Sequence, residues 1–156
     1  MEATLRAVLK EKGTDIISVP PTATVYEAIE TMNAARIGSV LIIDEAALHG
    51  IFSERDVLTR VIPGGHDPRE LRVDAVMTRR LTTATPEDSV GDTLALITRR
   101  RIRHVPVIED GRLVGIVSIG DLTKWMTESL RKEVSELSAY ISSPYALNPK
   151  SVPPDA

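Results

Sequence analysis

IRHVPVIEDGRLVGIVSIGDLTK, residues 102–124, is the stretch on which the reading of the whole chain turns. Val105 to Ile108 is short, apolar and β-branched, the pattern of a buried strand. Glu109-Asp110-Gly111 is a turn, Asp-Gly supplying the positive φ angles of a tight hairpin. Leu113 to Val117 is the return strand. Ser118, Gly120 and Asp121 then lead into a helix with Leu122, Trp125 and Met126 on one face. A hydroxyl, a glycine and a carboxylate thus meet at a strand-to-helix junction. Unpaired N–H groups and the positive dipole end there suit a phosphate-bearing ligand. The carboxylate can accept from a vicinal diol, as acidic residues do on ribose in dinucleotide folds.

The same pattern stands earlier, in residues 37–58, IGSVLIIDEAALHGIFSERDVL. A shift of 65 positions lays it on 102–123 without a gap, bringing Gly50, Ser53 and Asp56 onto Gly115, Ser118 and Asp121. Over 18–58 against 83–123, 11 of 41 positions are identical, against about 2–3 expected from average residue usage. Two copies make a pseudo-symmetric pair and not a solenoid.

A unit of ~60 residues that ends in G-[IV]-x-S-x-x-D after an apolar hairpin, present twice, resembles a tandem pair of cystathionine-β-synthase (CBS) domains, or Bateman module. The resemblance covers residues 12–128, and the long last helix and AYISSPY look like small bacterial and plant stand-alone members of that family, the bacterial type being the one expected. It implies an α+β fold, with two pseudo-symmetric βαββα repeats packed through their sheets. The expected divisions are an N-terminal helix (1–13), a first repeat (14–66), a second repeat (72–128), and a C-terminal helix with a loose tail (129–156).

The rest of the chain fits this plan. Leu5, Val8 and Leu9 make a short inward-facing helix that Gly13 ends. Thr14 to Val19 runs into a strand, and Pro20-Pro21 breaks it. Thr24 and Glu27 form a capping box for a helix to Ala35, with Val25, Ala28, Ile29 and Met32 buried. Val40–Ile43 and Leu48–Phe52 form a hairpin, Glu54 to Val61 a helix, and 63–70 a linker. A short helix around Val73–Met77, a strand at Leu81–Thr85 and a helix capped by Ser89 open the second copy. The final helix carries Leu122, Met126, Leu130, Val134, Leu137 and Ile141 at spacings of 4, 4, 4, 3 and 4, a packing seam that predicts a homodimer.

Composition narrows the function. With 156 residues, 42% hydrophobic and 26% charged, the chain is an ordinary globular protein. A net charge of −3 makes nucleic acid an unlikely general partner. The absence of cysteine excludes disulfides and thiol chemistry. MEATLRAVLKEKG has no signal-peptide pattern and no apolar run reaches the ~20 residues of a membrane span, so a cytoplasmic protein is expected. His49, His66 and His104 lack metal-ligand spacing, and no metal is expected.

Taken alone, Ser118–Asp121 and Ser53–Asp56 read as helix caps. The resemblance adds adenine-nucleotide binding, with the Asp on ribose hydroxyls, the Ser near ribose or phosphate, and adenine in an apolar slot built partly by the opposite repeat. It implies one site at Thr14, Ile16, Ile17, Arg103, His104, Ser118, Ile119 and Asp121. A second lies at Ser53, Arg55, Asp56, Thr78, Leu81 and Thr82. Arg103 and His104 match a basic pair that reads phosphate in similar proteins, whereas the first repeat has Gly38 and Ser39 and leaves Arg55 as the nearby cation. The sites are therefore unequal, and the Asp121 site is the better match. The expected function is a regulatory module, not an enzyme. It binds AMP above all, with ADP, ATP or NAD as alternatives, senses energy or redox state, and acts on an unidentified protein or through assembly. The competing readings are a purely structural dimerisation module and a nucleic-acid binder using the run Arg99 to His104.

Overall fold

The computed structural model describes residues 2–45 and 47–142, so the tail expected to be loose lies outside the described residues. In chain order the elements are α1 (Leu5–Lys12), β1 (Ser18–Val19), α2 (Val25–Ala35), β2 (Ser39–Asp44), β3 (Ala47–Ser53) and α3 (Glu54–Asp56). They continue with α4 (Val90–Arg100), β4 (His104–Glu109), β5 (Arg112–Ser118) and α5 (Ile119–Ile141). The architecture is α+β, with one small sheet per repeat.

The repeat seen in the sequence is a repeat in space. β2 pairs antiparallel with β3, and β4 with β5, and both hairpins slip register at matching points, Ile42/Ile43 and Val107/Ile108. Asp110 and Gly111 take φ values of 51° and 75°, the positive angles that the Asp-Gly pair supplies to a tight hairpin. The Thr24 hydroxyl accepts from the Glu27 N–H and the Glu27 carboxylate from the Thr24 N–H. Ser89 caps α4 through the Asp92 N–H. Both eleven-residue helices stop at an arginine in the left-handed region, Arg36 and Arg101.

Two expectations need correction. No strand forms over Leu81–Thr85; a single parallel bridge joins Ala84 to Val107, where the first repeat has a two-residue strand on Leu41 and Ile42. The cause is Pro106. Its counterpart Leu41 donates its N–H to the Ile17 carbonyl at 3.4 Å, and proline has no N–H to give. The helix read over Glu54–Val61 is α-helical only to Asp56; Val57–Val61 is wound as a π-helix, with the Ile62 N–H on the Val57 carbonyl.

The core is exchanged between repeats. Leu5, Val8 and Leu9 of α1 pack with Val90, Ile97, Val105, Val117 and Leu122, in the second repeat. Val73, Val76 and Met77, from the 3₁₀ turn Val73–Ala75 and the residues after it that open the second repeat, pack with Val25, Met32, Ile42 and Phe52 of the first. Each segment lies on a glycine of the strand it crosses. A methyl group on Gly50 would sit 2.7 Å from the Thr78 carbonyl oxygen, and one on Gly115 would sit 2.7 Å from Leu9 Cδ2.

The two contacts differ in what must give way. Main chain paired to a strand cannot move aside, whereas the end of a leucine side chain can. Gly50→Ala is therefore expected to lose about 1–3 kcal/mol of stability, and Gly115→Ala distinctly less, in urea denaturation. Equal losses would show that the Thr78 crossing is no more rigid than the Leu9 contact.

Candidate functional site

The Ser-x-x-Asp pairs sit where β3 meets α3 and β5 meets α5, and in both the carboxylate turns back onto the strand end. Asp121 Oδ2 accepts from the Ser118 N–H at 2.8 Å, and the Asp121 N–H donates to Ser118 Oγ at 3.1 Å. Asp56 Oδ2 accepts from the Ser53 N–H at 2.9 Å and from the Ser53 hydroxyl at 3.2 Å. The capping that both residue types favour is thus present at each junction.

Beyond capping, the carboxylates part company. Asp56 is 4% exposed, and its Oδ1 accepts from the Thr78 hydroxyl at 3.0 Å, with Arg60 Nε at 3.8 Å. Both of its oxygens are therefore engaged. The Asp121 side chain is 25% exposed, and its one further partner among the described residues is Lys12, whose ammonium lies 2.6 Å from Oδ2. Oδ1 of Asp121 accepts no hydrogen bond among the described residues.

The other expected residues fall as follows. Arg103 is exposed at the end of the loop before β4 and its carbonyl accepts from the Ile119 N–H at 2.8 Å. His104 is half-buried and stands opposite Ser118 in the β4–β5 ladder. Ile119 is 40% exposed. Thr14, Ile16 and Ile17 run from α1 to β1, Thr14 and Ile17 exposed and Ile16 half-buried, with no hydrogen bond to Asp121 among the described residues. In the first repeat Thr78 meets Asp56 directly, and Leu81 and Thr82 are half-buried in the following loop. Arg55 turns away to the Arg101 carbonyl, 2.8 Å from its guanidinium, at the C-terminus of α4. Ser39, the counterpart of His104, is buried, and its hydroxyl has no partner among the described residues.

Lys12 is the residue that the sequence reading missed. Its ammonium also donates to the Ile116 carbonyl at 2.7 Å. A signal existed: Leu5, Val8 and Leu9 match Val73, Val76 and Met77 at a spacing of 68 and not 65. The first crossing therefore carries three more residues than the second before the two repeats come into register, and Lys12 lies in that extra turn.

Electrostatics separates the two titratable groups of this cluster. Burial alone would raise the Asp121 carboxyl, but the Lys12 ammonium and the Ser118 N–H outweigh it and hold the group below its ordinary range. His104 goes down: burial disfavours its cation, Lys12 and Arg103 add to the effect, and Asp121 opposes it. The folded protein thus holds His104 neutral where an exposed histidine begins to charge. Groups that could hold a metal ion, three or more of His, Asp and Glu together, do not occur among the described residues. An open groove of about 540 Å³ along α5, lined by Ile119, Gly120, Thr123 and Arg131, touches neither Ser118 nor Asp121.

A lowered histidine pKa has a definite sign in stability. As pH falls through the ordinary value of 6.5, the unfolded chain takes up a proton that folded His104 does not, so stability declines. His104→Gln is expected to flatten that decline between pH 7.5 and 5.5 in urea denaturation. A decline of the same size in variant and parent would assign it to other groups.

Comparison with known proteins agrees with this architecture. The chain is 35% identical over 151 residues to the mitochondrial CBS domain-containing protein CBSX3 of Arabidopsis thaliana, covering 91% of this chain and 73% of that one. It is 31% identical over 109 residues to the CBS domain-containing protein YhcV of Bacillus subtilis, covering 70% and 77%. Among solved structures, a CBS-domain containing protein of Agrobacterium tumefaciens superposes with a TM-score of 0.76 at 34% identity, over 80% of this chain and 99% of that one. A Burkholderia ambifaria protein with CBS domains, proposed to act in signal transduction, gives 0.77 at 35% identity, over 80% and 93%. A family model for the CBS domain matches residues 12–62 and again 73–128, and the chain therefore belongs to the CBS domain family, as a tandem pair.

Proposed function

We propose that this CBS pair is a regulatory module that binds an adenine nucleotide at the Asp121 site. AMP is the favoured ligand; ADP, ATP and NAD share the adenosine that the site would read. The observation that carries this reading is the state of the Asp121 carboxylate. It is partly exposed, held ionised, and keeps Oδ1 open at the first turn of α5, beside Lys12, Arg103 and His104. A ribose diol needs a carboxylate acceptor, and a phosphate needs cations and N–H donors within reach. Ser118 and Lys12 meet Asp121 as a helix cap and an ion pair and not as a nucleophile activated by a base, and regulation is the better reading. The first-repeat set around Asp56 is the lesser candidate, because Ser53 and Thr78 already satisfy its oxygens.

Asp121→Ala is expected to weaken AMP binding by about 10–150-fold, the equivalent of about 1.5–3 kcal/mol for hydrogen bonds to a charged group, in titration calorimetry. Unchanged affinity would remove Asp121 from the site. It would favour the second reading, a structural dimerisation module in which both Ser-x-x-Asp pairs only cap helices.

The module is read as a homodimer in the cytoplasm that acts on a further protein or through its assembly. Met126, Leu130, Val134, Leu137 and Ile141 of α5 are 40–68% exposed and form one apolar stripe, more than a lone helix face leaves to water. Among the described residues no helix is long and apolar enough to cross a membrane. Light scattering at micromolar concentration is expected to give twice the 17.0 kDa chain mass, and Leu130→Glu to reduce it to the single chain. A 17.0 kDa species from the parent would refute the dimer.

A further inference from the structure

The two repeats close their aspartates with different chemistry. In the first, the Thr78 N–H donates to the Ile51 carbonyl at 2.8 Å, the Thr78 carbonyl accepts from the Ile51 N–H at 3.0 Å, and the Thr78 hydroxyl reaches Asp56. Main chain and a hydroxyl one carbon away from it make the closure, inside a strand bridge. In the second repeat the same two acceptors, Ile116 carbonyl and Asp121 carboxylate, are both taken by the Lys12 ammonium, at 2.7 and 2.6 Å. The backbone of that crossing makes no such bridge among the described residues.

A lysine ammonium is a point charge on a flexible four-carbon stem, with three donors that can be re-aimed without moving main chain. Thr78 can turn its hydroxyl off Asp56, but with its main chain paired to Ile51 that hydroxyl has no reach to another partner; Lys12 can leave Asp121 and carry its charge to a new partner by rotating its own side chain. A vicinal diol that donates to both carboxylate oxygens finds Oδ1 open. It competes for Oδ2, which already accepts from Ser118 and Lys12. We propose that Lys12 is a movable occupant of the Asp121 site: it holds the carboxylate until a nucleoside's diol takes it, and then pairs with that ligand's phosphate. The proposal rests on the reading of Asp121 as the ligand carboxylate.

Specificity follows from charge. A neutral nucleoside displaces the ammonium from its anion and offers nothing in return, while Arg103 stands on the adjoining loop and adds positive charge. A nucleoside phosphate supplies the replacement anion. Lys12 therefore penalises adenosine and favours AMP, and it confines exchange of this kind to the second repeat.

The test is titration calorimetry of AMP and adenosine with the full chain, as parent, Lys12→Met and Lys12→Arg, each checked by thermal melting. Methionine keeps the aliphatic stem and removes the charge. The expected result is that Lys12→Met binds adenosine about 3–10-fold more tightly, as loss of a partly exposed charged hydrogen bond implies. The ratio of AMP to adenosine affinity is expected to fall by at least that factor, and Lys12→Arg to restore most of it. An unchanged ratio in Lys12→Met, or equal weakening of both ligands, would overturn the role of Lys12 and leave the site reading intact. Absence of binding by both ligands to all three proteins would overturn the site reading itself, and Lys12's role with it.

Discussion

The fold rests on an exchange. Neither repeat fills its own core: α1 inserts Leu5, Val8 and Leu9 into the second, and the turn at Val73–Met77 inserts its apolar residues into the first. A unit of about 60 residues buries only about 60% of the surface of its unfolded chain, less than a larger domain does, and is marginal alone. Here each of the two is completed by a segment that the other would need to leave behind if they separated. The two are tied as one body by burial at both crossings, and Gly50 and Gly115 are the points where the passing segment lies hard against a strand. The same crossings bring Thr78 and Lys12 to the aspartates, so the packing that holds the repeats together also determines what the candidate sites contain.

Most of the fold was legible because its signals are local. Thr24 with Glu27, Ser89 with Asp92 and Asp110-Gly111 act within four residues, and the 65-residue register carries the reading of one hairpin to the other. What stayed hidden depends on partners far away in the chain. Leu81–Thr85 is apolar and β-branched enough for a strand, but whether it pairs is decided by Pro106, which lies in a different element. The winding of Val57–Val61 into a π-helix has no sequence mark that we can identify. Within the site, the Ser-x-x-Asp pairs are visible because they repeat. Lys12 shows only indirectly, in the three-residue offset of its crossing, because it has no counterpart in the other repeat and its partner lies 109 residues on.

Duplication gives two junctions with one design, and substitution at a few positions makes them unlike. Gly38-Ser39 in place of Arg103-His104 removes charge from the first. Thr78 against Lys12 exchanges a hydroxyl carried on paired main chain for an ammonium on a long flexible stem. The consequence is visible in the carboxylates: Asp56 is enclosed, while Asp121 keeps water contact and an ammonium partner. Enclosing a carboxylate is tolerable only where its oxygens are satisfied by fixed donors, as at Asp56. Partial exposure lets Asp121 change partners at lower cost, since water can screen the intermediate.

The helices that follow the two aspartates complete the asymmetry. After Asp56 the chain turns through one π-wound segment and stops at Val61, before Pro63-Gly64-Gly65. After Asp121 it continues as α5 for 23 residues, about 34 Å at 1.5 Å per residue. Ser118 and Asp121 occupy the first turn of that rod, and the exposed stripe Met126 to Ile141 occupies the rest. Only the first turns of α5 are anchored in the core, through Leu122 and the half-buried Trp125. Beyond that anchor the helix offers its apolar stripe to a second copy of the chain, so the Ser118–Asp121 junction and the proposed dimer contact share one rigid element. The junction with the partly exposed carboxylate is thus also the one that begins the long helix with the apolar stripe, while the junction with the enclosed carboxylate ends in a short π-wound turn.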